Sequence, residues 1–361
     1  MQSLTIGVLG SHSALDICRG AKDEGFRTLV IAQKNREKTY AKYYKSKNGL
    51  GCVDECIIVK KFSDILKEDI QKQLLAKNII FIPHRSFEAY LHFDYKAIER
   101  QFTVPLFGNR KLLKIEERGV SPNQYDLLEK AQILLPKRFK DPQDIDRVCI
   151  VKVLEKARGF ERAFFLVENY ADYKKQVDRK LSEGIFTKEQ LDASVIEEFV
   201  VGVQVNFNFF YSPLTKKLEL LGTDTRRQTN IEGLTKIPVM YQQVLEKVEI
   251  KYEEAGHIAV TVLESLLEQA FELAERFVAA SIELMPPGAI GPFALQTIVT
   301  PGPPEKEIIV IDVSPRMPGS PGIIATPYSQ YLYGKSISVG RRIAMEIKRA
   351  IQLNKLDKII T

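Results

Sequence analysis

The chain of 361 residues contains no tryptophan, four cysteines, four histidines and five methionines, and no apolar run near the ~18 residues that mark a membrane span. Each shortage closes a class of function. Cys18, Cys52, Cys56 and Cys149 form no disulfide framework. The Cys52-x-x-x-Cys56 pair has no second Cys or His pair at zinc-finger spacing, so no structural zinc is expected. The opening Met-Gln-Ser-Leu-Thr-Ile has neither a charged leader region nor a long apolar core. A soluble cytoplasmic protein without membrane contact is therefore expected. Lys and Arg total 52 against 46 Asp and Glu, a formal charge of +6. The two signs are interspersed rather than gathered into a basic arm, so nucleic acid is not implied, whereas a phosphate-bearing small molecule suits the balance. There is no low-complexity segment and no internal repeat. With 45% hydrophobic residues the chain can bury a full core, and its length predicts two or three domains.

Short apolar strands alternate with helical patterns over the first hundred residues, the signature of an α/β fold. Strands are predicted at Leu4–Leu9, Thr28–Ala32, Cys56–Val59, Ile79–Ile82 and Val104–Leu106, with a first helix marked by Leu15, Cys18 and Ala21 and ending near Gly25. The pattern changes near Asn109. Helical segments follow between Lys111 and Leu135, then strands at Val148–Lys152 and Ala163–Val167. Val195–Tyr211 and Leu218–Leu221 read as strands of a second sheet. From Leu263 to Met285 the positions Leu263, Leu266, Leu267, Ala270, Ala274, Phe277, Val278 and Ile282 form a helical stripe, stopped by Pro286-Pro287-Gly288. That stripe is expected to be core.

Three places carry chemistry. At the first strand-to-helix turn, Gly10-Ser11-His12-Ser13-Ala14-Leu15, unpaired N–H groups and the positive end of a helix dipole favour an anion, and Ser11, His12 and Ser13 add donors. The G-x-G-x-x-G spacing of a dinucleotide site is absent. The alternative is an ordinary serine cap beside a passive histidine. The turn Pro83-His84-Arg85-Ser86-Phe87 follows another strand, and ligands of open parallel sheets gather at such carboxyl ends. The two turns are expected to line one cleft, with His84 otherwise structural. His92 reads as structural and His257 stays open between the two roles.

The third place is a hairpin. Gly291–Val299 and Ile308–Ser314 are rich in β-branched residues and flank the turn-forming Pro301-Gly-Pro-Pro304. A fold about residue 304 sets Gln296 opposite Asp312, with Cβ atoms roughly 5 Å apart. Two oxygen donors would then converge on one hard cation, and magnesium, which takes its other ligands from water and substrate phosphates, fits. Ser314 shares the face of Asp312, and Arg316 continues it. The alternative is a polar surface pair on an edge hairpin. Lys152, at a strand end, is of the type that meets phosphates, and Glu197-Glu198-Phe199-Val200 of the type that joins two lobes at an adenine; otherwise both are solvated charge.

Gly10–Leu15, Gly20-Ala21-Lys22-Asp23-Glu24-Gly25-Phe26, Phe107-Gly108-Asn109-Arg110, Ile196–Gly202, Gly291-Pro292-Phe293 and Gly340–Ile347 together resemble the archaeal formate-dependent synthetases that make 5-formamidoimidazole-4-carboxamide ribonucleotide (FAICAR), members of the ATP-grasp superfamily. The resemblance spans nearly the whole length. It implies a Rossmann-like pre-ATP-grasp domain over 1–110, a small ATP-grasp lobe over 111–194 and a large lobe with the metal site over 195–361. It implies ATP and Mg2+ or Mn2+ as cofactors, formate and aminoimidazole carboxamide ribonucleotide (AICAR) as substrates, and a homo-oligomer. By resemblance Ser11, His12, Ser13, Ser86 and His257 fall at the AICAR site. Lys152, Arg158, Gly159, Glu197, Glu198, Phe199, Val200 and Gln228 fall at ATP, Gln296 and Asp312 at the metal, with Lys152 and Arg316 catalytic. The chain departs from the family where a glycine-rich run covers the triphosphate: here Glu155-Lys-Ala-Arg-Gly-Phe-Glu-Arg-Ala163 keeps one glycine, with Phe160 adding bulk and Glu161 a like charge. Gln228 replaces a glutamate and His257 an asparagine. An ATP-dependent carbon–nitrogen ligase is thus expected, the alternatives being a paralogue that binds without turnover and a ligase of altered substrate.

Overall fold

A computed structural model describes residues 4–361 apart from 153–163, 242, 244–247, 249–253 and 303, and without the side chains of 229–231. Arg158 and Gly159, with the rest of the glycine-poor segment, lie outside the described residues. The first sheet is parallel, in the order β3-β2-β1-β4, with β1 at Thr5–Leu9, β2 at Arg27–Gln33, β3 at Glu55–Val59 and β4 at Ile79–Phe81. Every residue of β1 is buried, as a central strand covered on both faces requires.

Val104–Leu106 does not form a strand. It makes one parallel bridge, Phe81 to Leu106, because Pro105 has no N–H to extend a ladder. The chain terminus closes over it instead, Leu106 and Thr361 exchanging backbone hydrogen bonds of 3.0 and 2.8 Å. The helix Val339–Gln352 thereby lies against the helix Ala14–Asp23. Two glycines set that distance. A Cβ on Gly20 would lie 2.1 Å from the Arg341 nitrogen and one on Gly340 2.3 Å from the Asp16 carbonyl, so neither position has room for a side chain.

A second, antiparallel sheet in the order β5-β8-β6-β7 is built from β5 (Arg138–Phe139), β6 (Cys149–Lys152), β7 (Phe164–Val167) and β8 (Val195–Glu198). The third sheet, β11-β10-β9-β12-β13, comprises β9 (Val203–Ser212), β10 (Lys217–Gln228), β11 (Glu254–Ala259), β12 (Gly291–Val299) and β13 (Ile308–Ser314). Val195–Tyr211 is therefore not one strand. It breaks at Phe199–Gly202 and passes between two sheets, with Gly202 so close to β12 that a Cβ would lie 2.4 Å from the Val299 carbonyl.

One face of the third sheet packs on the helix Leu267–Leu284, where Phe207, Phe209 and Phe293 meet Ala270, Leu273, Ala274 and Phe277. The helical stripe is core over most of its length, but Leu263 (58% exposed) and Ile282 (41%) are not. Leu263 precedes the short turn Glu264–Leu266 that starts the helix, so it falls off the helical phase. Leu112, Ile115, Leu127 and Leu128 join the same core, from the tight turn Arg110–Glu116 and the helix Gln124–Lys130. No helix among the described residues is long and apolar enough to cross a membrane.

Candidate active site

Strand period places the polar groups. Along β9 the side chains of Val205, Phe207 and Phe209 enter the core, and the intervening Gln204, Asn206 and Asn208 line a cavity of about 830 Å³ on the opposite face. The same alternation brings Arg226 and Gln228 from β10, Gln296 from β12, and Asp312 and Ser314 from β13 to that cavity. Its size suits a small-molecule site. The first sheet contributes His12, Arg85 and Ser86, the second Ile150, Lys152 and Phe164, and the linker Phe199–Gly202 closes one side.

The hairpin register is as expected, Gln296 opposite Asp312, with a bulge on β13 at Ile311 between Gln296–Asp312 and Thr297–Val310. The surface alternative does not hold for Gln296: β13 is the edge strand of its sheet, but β12 pairs with β9 as well as β13, and Gln296 is 5% exposed. Gln296 donates to the Ser314 hydroxyl at 3.0 Å and accepts from Arg226. Asp312 accepts from Arg118 at 3.1 Å. Burial would raise the Asp312 pKa, but Arg118, then Lys152 and Arg226, hold it down to about 2, so the carboxylate is ionised. One carboxylate and one amide oxygen side by side form a donor set that fits magnesium when phosphates complete the shell.

Lys152 is neither solvated nor alone. It is 7% exposed and donates to Glu197 at 2.5 Å. Glu197, 1% exposed, also accepts from the Tyr125 hydroxyl, which accepts from Arg118 at 3.2 Å. Lys152, Glu197, Tyr125, Arg118 and Asp312 thus form one hydrogen-bonded chain in which a neutral Tyr125 separates two ion pairs, buried except at the half-buried Asp312. Glu197 and Glu198 do not line the cavity, whereas Phe199 and Val200 do. Glu198 instead accepts from Arg147 at 3.2 Å.

At the other end His12 projects from a left-handed backbone position, φ +50°, and stacks on His84 with centroids 5.4 Å apart. His84 is fully buried, bonds the Leu9 carbonyl through Nε2 at 2.9 Å and supports His12 from beneath. Burial lowers the pKa of both rings, His84 to about 4 and His12 well below its usual value, with Arg316 adding to each effect. Neutral His12 is therefore a hydrogen-bonding group rather than a charge. Ser13 is 2% exposed and gives its hydroxyl proton to the Pro318 carbonyl at 2.6 Å, which ties the turn to the segment after β13. Ser11 sits behind Ser86, whose hydroxyl donates to it at 3.0 Å. Of the three donors expected in this turn, His12 alone lines the cavity.

His257 lies on β11, between Asp224 at 2.5 Å from Nδ1 and Glu254 at 2.8 Å from Nε2. Burial opposes protonation, but the two carboxylates push its pKa up to about 9, so this ring is an imidazolium. His92 is exposed and left-handed, φ +54°. Its neighbours give it no core role, contrary to expectation.

Glu116, Arg118, Asn206, Asn208, Asp224, Arg226 and Glu254 were not singled out from the sequence, and Arg85 only as a member of the turn Pro83–Phe87. A signal for some was present: Asn206-Phe-Asn208 and Asp224-Thr-Arg226-Arg-Gln228 repeat polar residues at the two-residue strand period. Arg118 and Glu116 left no such trace, because they reach the site from a turn.

A family model described as a domain of unknown function, DUF1297, matches residues 172–361, and one described as a protein of unknown function, DUF1246, matches residues 6–139. The 5-formaminoimidazole-4-carboxamide-1-(beta)-D-ribofuranosyl 5'-monophosphate synthetase of Methanocaldococcus jannaschii is 40% identical over 361 residues, 99% of this chain and 95% of that protein. The chain belongs to this family of synthetases. The Methanopyrus kandleri synthetase is 38% identical over 100% of the chain and 96% of its own length. Among solved structures, the IMP biosynthesis protein PurP from Thermococcus kodakaraensis superposes with a TM-score of 0.72 at 28% identity, covering 99% of this chain and 100% of that one. An ADP complex of N5-carboxyaminoimidazole ribonucleotide synthetase has a TM-score of 0.59 at 11% identity, over 94% of this chain and 80% of the other. The synthetase family thus shares the ATP-grasp fold, and the three sheets of this chain are arranged in that way.

Proposed function

We propose that the chain is an ATP-dependent ligase that formylates AICAR to FAICAR, with formate as the acyl donor. One observation carries this reading: a single cavity has a cation-rich end beside Asp312 and Gln296 and, at the other end, the hydrogen-bonding His12 and Ser86 among the charged Arg85, His257 and Arg316. The first end suits a triphosphate and the second a ribonucleotide. In the reaction, a formate oxygen takes the γ-phosphoryl group of ATP, giving formyl phosphate and ADP. The AICAR amine nitrogen then attacks the formyl carbon, phosphate leaves, and the nitrogen loses a proton. Phosphoryl transfer of this kind needs alignment and charge neutralisation more than covalent help.

Lys152, Arg118 and Arg226 surround Asp312 and are of the type to neutralise phosphate oxygens, and Arg316 lies on the cavity wall nearer His12. Asp312 and Gln296 would hold Mg2+ or Mn2+, which when bound neutralises charge on the phosphate oxygens. Phe199 and Val200 offer an apolar side to adenine, and Gln228 lines the same cavity. Ser11 and Ser13 support the ribonucleotide end indirectly, by holding Ser86 and the Pro318 segment. A second reading, a paralogue that binds without turnover, is favoured by the single glycine between 155 and 163.

The test is ADP release by purified protein with magnesium and ATP, with formate and AICAR added separately and together, and Asp312→Ala as the control. Release requiring both substrates, lost in the control and accompanied by FAICAR mass, is expected. Binding of ATP or AICAR by calorimetry with no release would overturn the ligase in favour of the non-catalytic paralogue.

A further inference from the structure

The floor of the cavity carries a group of side chains that the phosphate and metal contacts leave unused. Asp224 on β10 is 0% exposed. It accepts hydrogen bonds from Asn206 Nδ2 at 2.8 Å, Asn208 Nδ2 at 2.6 Å and His257 Nδ1 at 2.5 Å. The two asparagines stand two residues apart on β9, so they share a face, and both line the cavity. Strand register sets Asn206 between Asp224 on β10 and Gln296 on β12. Beyond Asp224, His257 closes toward His12: a Cβ on Gly319 would lie 2.6 Å from His12 Nε2 and 3.5 Å from His257 Nε2. The floor therefore runs between the metal ligands and the His12 end.

A carboxylate only accepts, so both amide nitrogens face Asp224 and both amide oxygens are turned away from it. Burial opposes ionisation of Asp224, but His257, then Asn208 and Asn206, hold its pKa below the usual carboxylate value. The charge that fixes the two amides therefore persists at neutral pH. Asn208 Nδ2 is held further by the Gly222 carbonyl at 3.3 Å and the Asn206 carbonyl at 3.4 Å. Neither Oδ1 atom has a hydrogen-bond partner among the described residues, although Asn206 is 3% and Asn208 1% exposed. Buried oxygens are normally satisfied, and two without a partner on one cavity floor point to a ligand that donates. A phosphate, a carboxylate or a carbonyl brings only lone pairs to them. A hydroxyl brings one proton, and an amino group brings two.

We propose that Asn206 and Asn208 form the subsite for the amino group of the substrate, accepting its N–H bonds through Oδ1, with Asp224 as the positioning residue that fixes both amides. Strand rise sets the two Cα atoms about 7 Å apart, a span across which two side-chain oxygens can converge on one amine. N–H groups held in the plane of an aromatic amine leave the nitrogen lone pair free for attack. The same two oxygens repel phosphate, which keeps a triphosphate at the Asp312 end. That the amine is the one on AICAR rests on the ligase reading; the preference for an amino group does not.

The test is calorimetric titration of the full chain with AICAR and with the analogue in which hydrogen replaces the ring amino group. The wild type is expected to prefer AICAR by at least about tenfold, because loss of the amine leaves buried acceptors unpaired. In Asn206→Leu and Asn208→Leu, which keep the side-chain volume, that preference should fall toward unity. Asp224→Asn should lose it as well although both asparagines remain, because an amide in that place can donate to them and lets them turn. A merely structural role would weaken both ligands alike and leave the ratio unchanged. Thermal unfolding of each variant checks folding, and if Asp224→Asn does not fold, the leucine variants decide. No saturable AICAR binding, equal wild-type affinity for the two ligands, or a preference retained in the leucine variants would overturn the proposal. A preference retained in Asp224→Asn would overturn its positioning role. Turnover with the preference unchanged in the variants sinks this inference alone, and an amine preference lost in the variants without turnover sinks the ligase reading alone.

Discussion

Replacing Lys152 by methionine removes one half of a buried ion pair while keeping most of the side-chain volume. The two members are 8% and 1% exposed, so water cannot take the place of the ammonium. Breaking a pair of this kind costs about 3–5 kcal/mol, chiefly because the remaining charge is stranded. Glu197 keeps the Tyr125 hydroxyl as a donor, which places the expected loss at the lower end, about 3 kcal/mol. For a cooperative unit the size of this chain, with unfolding entropy near 2.1 cal/mol/K per residue, that loss lowers the melting temperature by about 4 °C. The double variant Lys152→Met/Glu197→Gln removes the stranded charge and leaves an amide that still accepts from Tyr125. It should regain all but about 1 kcal/mol. Differential scanning calorimetry of the four proteins of this cycle measures the coupling. A single variant that melts within about 1 °C of the wild type, or a double variant as unstable as the single, would refute the claim that Lys152 and Glu197 hold each other in place.

Gly319→Ala would set a Cβ 2.6 Å from Nε2 and 2.8 Å from Cε1 of His12; because His84 backs that ring, it must turn, and AICAR affinity should fall about tenfold by calorimetry while folding stability changes by under about 1 kcal/mol. Unchanged AICAR affinity would remove His12 from the ribonucleotide end. His257 has a folded pKa raised to about 9 from 6.5, so its contribution is complete below the unfolded value and is lost as pH rises through the folded one. The stability gap between wild type and His257→Gln, from urea unfolding, should shrink by on the order of 3 kcal/mol across that window, and a constant gap would contradict the imidazolium. Gly340→Ala forces a methyl group against the Asp16 backbone and should cost about 2 kcal/mol in chemical denaturation; a neutral outcome would mean that the two helices can separate freely.

Local pattern alone settled a good deal. The alternation of apolar strands and helices marked the parallel sheet, and turn chemistry with β-branched arms set the hairpin register, because both depend on neighbours in the chain. Gln296 and Asp312 were legible for that reason. Tertiary structure decided what those residues meet. Lys152, open in the sequence between a phosphate contact and solvated charge, meets Glu197 diagonally from the neighbouring strand; Ser13 exchanged a ligand role for a supporting one once Pro318 supplied its partner, and His84, open between two roles, became structural through the Leu9 carbonyl. The break of Val195–Tyr211 into two sheets was hidden too, since strand propensity continues through a linker whose path is set by packing against β12. Asp224 illustrates the division best: its identity is in the sequence, but its role depends on burial and on Asn206, Asn208 and His257, which come together only when three strands pair.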